Sequence, residues 1–179
     1  MKMPMTSKRP RPPLDSDSLR ELALRYVSRF ATSRAKLLAY LNRKLQERGW
    51  HGEGPPAPDQ LVERLAELRY VDDRSFAVMK SAALTRRGYG ARRVAQTLRA
   101  DGIADVDREE ADTQTSNDSW DAADRFARRK RLGPYANAPA DPKLRDKAIA
   151  AFLRAGHSFE IARRWTDAAP GEPPERDQF

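Results

Sequence analysis

The chain has 179 residues with 34 Lys and Arg against 26 Asp and Glu, a formal charge of +8, and only 39% hydrophobic residues. That length allows one medium domain or a row of small ones, and the low apolar content excludes a single large spherical core. The absence of cysteine excludes a disulfide framework, thiol catalysis and cysteine-ligated zinc and fits a reducing cytosol, while a pI near 10.0 points to polyanionic partners.

Residues 1–14 carry Lys2, Lys8, Arg9 and Arg11 among four prolines, without the apolar centre of a secretory signal, and are expected to form a disordered basic arm. Leu19, Leu22, Ala23, Tyr26, Val27 and Phe30 then recur at helical spacing, with Ser18 and Glu21 placed as a capping box. A second helix is predicted from Arg34 to Arg48 on Leu37, Leu38, Leu41 and Leu45, capped by Ser33 and stopped by Gly49. His51 to Pro58 reads as a loop. A third helix, Asp59 to Arg69, uses Leu61, Val62, Leu65 and Leu68, and Asp72 is placed to cap a fourth that carries Phe76, Ala77, Met79, Lys80, Ala83 and Leu84 and ends at Gly88. A fifth runs from Ala91 to Asp101 and stops at Gly102. Val106 to Thr113 gives a sixth with few apolar residues, followed by a linker at Gln114–Asp118.

The last third repeats the rhythm with Trp120, Ala123, Phe126 and Ala127, then Leu144, Ala148, Ile149, Phe152 and Leu153, then Phe159, Ile161, Ala162 and Trp165. Gly49, Gly102 and Gly156 end the middle helix of each group, and Leu45, Leu98 and Phe152 each stand four residues earlier. The expected fold is all-α, an elongated array of three tandem three-helix repeats with about nine helices. The repeats fall at 15–71, 72–114 and 115–168, between the arm and a disordered tail at 169–179. The longest fully apolar run, Ala148 to Leu153, is far short of the roughly 20 residues that cross a bilayer, so a cytoplasmic monomer is expected.

Catalytic and metal chemistry find little support. Gly88-Tyr89-Gly90 follows no strand and lacks a Walker lysine, so it reads as a C-cap and tight turn rather than a phosphate loop. Asp72 and Asp73 sit where a helix begins and read as caps, and His51 and His157 have no ligand spacing. No metal, cofactor or enzymatic role is assigned. Trp50, Tyr70 and Tyr89 read as plugs at helix junctions rather than base-stacking platforms. The basic clusters are the informative feature: Arg86, Arg87, Arg92, Arg93, Arg128, Arg129, Lys130 and Arg131 are the candidate contacts to phosphate, giving affinity without base selectivity. At this point the residues indicate a nucleic-acid-binding or protein–DNA-binding protein; a general architectural DNA binder fits them too, and a nuclease fits them least.

Tyr70-Val71-Asp72-Asp73-Arg74-Ser75-Phe76-Ala77, then Gly88-Tyr89-Gly90-Ala91-Arg92-Arg93-Val94, Leu98 and Gly102-Ile103, with Arg154-Ala155-Gly156 followed by Phe159 and Ile161, resemble the RecX family of recombination regulators over about Leu19 to Trp165. Asp72, Asp73, Phe76, Gly88, Gly90 and Gly102 match its central motif and are read as structural. The chain departs from the family where His157 replaces the usual aromatic and in the polar stretch Thr113–Ser119. The resemblance implies helical repeats that bind the RecA recombinase filament on single-stranded DNA, with duplex DNA as a further ligand, and that restrain ATP hydrolysis, strand exchange and coprotease activity in recombination and the SOS response.

Overall fold

The computed structural model describes residues 12–176. Among them are nine α-helices, one 3-10 turn and no β-strand. Lys2, Lys8, Arg9 and Arg11 of the expected basic arm lie outside the described residues. The chain divides into two compact units, one ending at Asp72 and the other beginning at Asp73.

The first unit holds α1 (Ser16–Val27), α2 (Arg34–Arg48) and α3 (Pro58–Glu67) around Leu19, Ala23, Leu37, Leu41, Val62, Leu65 and Val71. Leu14, expected in the arm, is fully buried in this core, and its backbone forms a parallel bridge with Trp50. The α1 cap also differs from expectation. Asp15, not Ser18, is the N-cap: its carboxylate accepts from the Ser18 amide at 2.8 Å while the Ser18 hydroxyl accepts from the Asp15 amide at 2.9 Å. The Ser18 hydroxyl, which also donates to the Asp15 carboxylate at 2.6 Å, and the Ser18 amide hold that carboxyl below its ordinary value, and Glu21 pairs with Arg25 instead. After α3, Arg69 takes a left-handed φ of 62° and the Tyr70 amide bonds the Leu65 carbonyl. That turn drives Val71 inward and leaves Tyr70 58% exposed, against its expected role as a plug. Trp50 packs on the core as expected.

The second unit holds α4 (Asp73–Arg86), α5 (Ala91–Ala100), α6 (Asp105–Asn117), α7 (Ser119–Lys130), the 3-10 turn Gly133–Tyr135, α8 (Pro142–Arg154) and α9 (Phe159–Asp167). One apolar cluster joins Phe76, Ala77, Leu84, Val94, Leu98, Ile103 and Ala111, and another joins Phe126, Ile149, Phe152, Ala162 and Trp165. Residues 114–117, expected in a linker, belong to α6. Several of that helix's polar side chains bond along its own length. Arg108, only 5% exposed, pairs with Asp105 at 2.7 Å and Asp112 at 3.0 Å, and the hydroxyls of Thr113, Thr115 and Ser116 bond carbonyls one turn back. Leu144 and Leu153, placed in the core stripe by their spacing, are 53% and 38% exposed, because α8 buries the Ile149 and Phe152 side. The segment after α9, expected to fray, is tied down over its described part. The Gly171 amide bonds the Pro134 carbonyl, and Arg164 bonds the carbonyl of Glu175.

Glycines shape the turns. Gly88, Gly102 and Gly156 have φ of 81°, 78° and 94°, and the amide after each bonds the carbonyl of Leu84, Leu98 or Phe152, the closing bond of a helix C-cap. The α4–α5 and α8–α9 turns also meet. The Gly90 amide bonds the Ala155 carbonyl at 2.9 Å and the Arg92 amide bonds the Gly156 carbonyl at 3.1 Å. A Cβ on Gly90 would lie 2.4 Å from the Gly156 carbonyl carbon. Gly90 has an ordinary extended conformation, φ -80° and ψ 167°, so Gly90→Ala introduces crowding without backbone strain. It is expected to destabilise the protein by about 1–3 kcal/mol, the range of overpacked cores, in urea denaturation. An unchanged or raised midpoint would contradict this contact.

Candidate polyanion-binding groove

The meeting of the two turns decides which cations share a surface. Arg86 closes α4 with Arg87 just beyond, Arg92 and Arg93 open α5, and Arg128, Arg129 and Lys130 close α7, with Arg131 just beyond at φ 53°. All eight are exposed, and they do not form one cluster. Arg87, Arg129 and Lys130 come together with Arg154, from the last turn of α8, around an open groove of about 620 Å³ whose remaining lining is Tyr89, Phe126, Ala151 and Ala155. The Arg129 guanidinium donates to the Arg87 carbonyl and lies 5.6 Å from the Phe126 ring centre. Arg87 and Arg129 both approach the Tyr89 ring, at 5.7 and 6.0 Å from its centre. The ring faces thus hold two guanidiniums at the groove, so Tyr89 works as the expected junction plug and also as a support for charge.

No carboxylate lines this groove, and among the described residues none of its four cations has an ion-pair partner. Elsewhere basic side chains are commonly engaged. Arg128 is one of them: it pairs with Asp124 at 2.9 Å and lies 4.6 Å from the Tyr135 ring centre, while the Tyr135 hydroxyl donates to the same carboxylate. Arg131 faces a different groove with Lys130, Arg93 donates to the Gln96 side chain at 3.3 Å, and Arg86 and Arg92 stand outside the lining. Sequence reasoning did not place Arg154 among the clustered cations, although the Arg154-Ala155-Gly156 turn was visible as a motif; nothing local shows that this turn packs beside Tyr89.

Asp72 precedes α4, Asp73 is its first residue and is 6% exposed, and Phe76 is 6% exposed in the core. Among the described residues no group of three or more metal-binding side chains assembles, and no helix is long and apolar enough to cross a membrane.

His157 carries the clearest electrostatic signature. It is 1% exposed, lies 5.4 Å from the Phe152 ring centre and 5.5 Å from that of Phe126, and its Nε2 is 3.1 Å from the Gly88 carbonyl. Because that partner only accepts, Nε2 carries the proton of a neutral ring. Burial pushes the imidazole down to about 4, with the Arg129 charge acting in the same direction and the Gly88 hydrogen bond opposing both. The histidine therefore packs as the aromatic usual at this position would, with one added polar bond.

Helices arranged in three apolar clusters, glycine-closed turns and a carboxylate-free basic groove define a basic helical-repeat protein. No family model matches the chain, but individual proteins do. It is 33% identical to the regulatory protein RecX of Myxococcus xanthus over 91% of each chain, and 32% identical to that of Halorhodospira halophila over 92% of this chain and 95% of the relative. Among solved structures, RecX from Lactobacillus salivarius superposes with a TM-score of 0.61 at 18% identity, covering 82% of this chain and 90% of that one. A further regulatory protein RecX superposes at 0.64 and 19% identity, covering 84% and 73%. The chain belongs to the RecX family.

The His157 environment makes stability pH-dependent. An unfolded histidine titrates near 6.5, so between that value and about 4 the unfolded chain binds the proton the native ring refuses. The contribution is intact above pH 6.5 and is lost as pH falls towards 4, by up to about 3 kcal/mol. Urea melts at stepped pH are expected to show this decline, and His157→Phe to flatten it; a parallel decline in the variant would contradict the assignment.

Proposed function

We propose that this protein regulates homologous recombination and the SOS response by binding RecA filaments on single-stranded DNA and restraining their ATP hydrolysis, strand exchange and coprotease activity. The observation that carries the reading is the groove of Arg87, Arg129, Lys130 and Arg154, whose charges no carboxylate neutralises. Cations left unpaired at an open surface gain most from phosphate oxygens, because each contact releases counterions from the strand. Such contacts grip the backbone without reading bases, which suits a ligand that must coat any sequence. The RecX relatives are named regulatory proteins, and control of a recombinase by differential affinity for filament states requires no chemistry from the regulator itself. Arg86 and Arg92 are exposed but outside the groove lining, and Arg131 and Arg128 contribute less because one lines the other groove and the other is held by Asp124.

The test is RecA ATP hydrolysis on single-stranded DNA, titrated with this protein and with an Arg87→Gln/Lys130→Gln/Arg154→Gln variant. All three side chains are exposed, so the variant is expected to melt like the parent. Inhibition at amounts well below those that saturate the DNA, weakened about tenfold or more in the variant (roughly 1.4 kcal/mol of lost affinity), is the expected result. Inhibition only when DNA is saturated would favour a general architectural DNA binder, and equal inhibition by the variant would remove the groove from the mechanism.

A further inference from the structure

A second groove opens on the other side of Lys130 and is built from different chemistry. About 460 Å³ in volume, it lies between the end of α7, the loop before α8, and the helices α8 and α9. Small side chains hollow it out: Ala136, Ala138 and Ala140 come from the loop, and Ala148 and Ala151 from α8. On α8, Leu144, Lys147, Ala148 and Ala151 follow the i, i+3, i+4, i+7 spacing of one helical face. Leu144 on that face is 53% exposed, while Phe152, about a quarter turn further round the helix, is in the core.

We infer that this groove is a docking site for a short acidic segment of a partner protein, anchored by bulky aliphatic side chains and flanked by carboxylates. The walls are predominantly apolar and the volume falls within the range of about 300–1,000 Å³ typical of ligand clefts, which fits apolar anchors. Its charged lining is Lys130, Arg131 and Lys147, with no carboxylate, and among the described residues none of the three is ion-paired. That is charge complementarity for an acidic peptide. An unpaired nucleobase fits less well. No aromatic ring lines the groove, so nothing offers a stacking platform, and a base's polar edges would face alanines.

The probe is a fluorescein-labelled peptide, Asp-Glu-Leu-Leu-Asp-Glu, titrated with the full chain by anisotropy and followed on the methyl resonances of Leu144, Ala148 and Ala151. Saturable binding that shifts these methyls and weakens about tenfold or more with Lys147→Glu, or with alanines replacing the peptide leucines, is expected, equivalent to roughly 1.4 kcal/mol in each case. Lys147 is exposed, so the variant tests charge rather than folding. No saturable binding, equal binding of the alanine peptide, or shifts confined to other methyls would overturn the inference. Methyl shifts produced by an oligothymidine and not by the peptide would overturn it in favour of a base-binding site. No recombinase is present in this experiment, so its outcome is separate from that of the filament reading.

Discussion

The second unit depends on one close approach: the backbone of the α4–α5 turn lies directly against that of the α8–α9 turn, with two amide–carbonyl bonds and no space for a side chain at Gly90 or Gly156. Any Cβ at either position meets backbone, which cannot swing aside as a side-chain end can. The approach also explains His157. Its imidazole reaches across to Gly88, the residue that ends α4, and closes the space between Phe126 and Phe152. Two turns 66 residues apart in sequence are thereby fixed as one surface, and Arg154 comes to stand with Arg87, Arg129 and Lys130.

Much of the fold is legible in the residues because helices declare their ends. For α2 the predicted and observed bounds coincide, since Ser33 caps the first turn through the Lys36 amide and Gly49 adopts a φ that other residues avoid. The recurring glycine turns are legible for the same reason, since each needs the left-handed conformation that glycine alone enters without penalty. What the pattern hides is satisfaction of polar groups. Helix α6 looks like a weak helix and a linker because hydrophobic spacing does not count Arg108 held between two aspartates or hydroxyls folded back on their own turn. Leu14, isolated among prolines and charges, gives no periodic signal at all, and its burial comes from backbone pairing with the residues around Trp50.

The site was partly legible. Charge alone marks Arg87, Arg129 and Lys130, but charge alone also marks Arg128, which Asp124 and Tyr135 occupy. Sequence distance conceals the separation of the cations into a groove, an adjoining groove and engaged surface pairs, because it is decided by which helix ends meet. Lys130 and Ala151 line both grooves, so a polyanion on one face and an acidic segment on the other would bind side by side. The two surfaces differ in what they reward: paired aromatic support and cations for phosphate on one, alanine-walled space for aliphatic anchors on the other.

The central claim is that the carboxylate-free groove carries the contacts to the nucleic-acid strand. Its most direct test is the salt dependence of binding to an oligothymidine, compared between the protein and the Arg87→Gln/Lys130→Gln/Arg154→Gln variant. Each phosphate contact to a single strand adds about 0.7 to the slope of log affinity against log salt, so removing three predicts a slope shallower by about 2. A variant with weaker binding and that shallower slope supports the account, and an unchanged slope with unchanged affinity contradicts it.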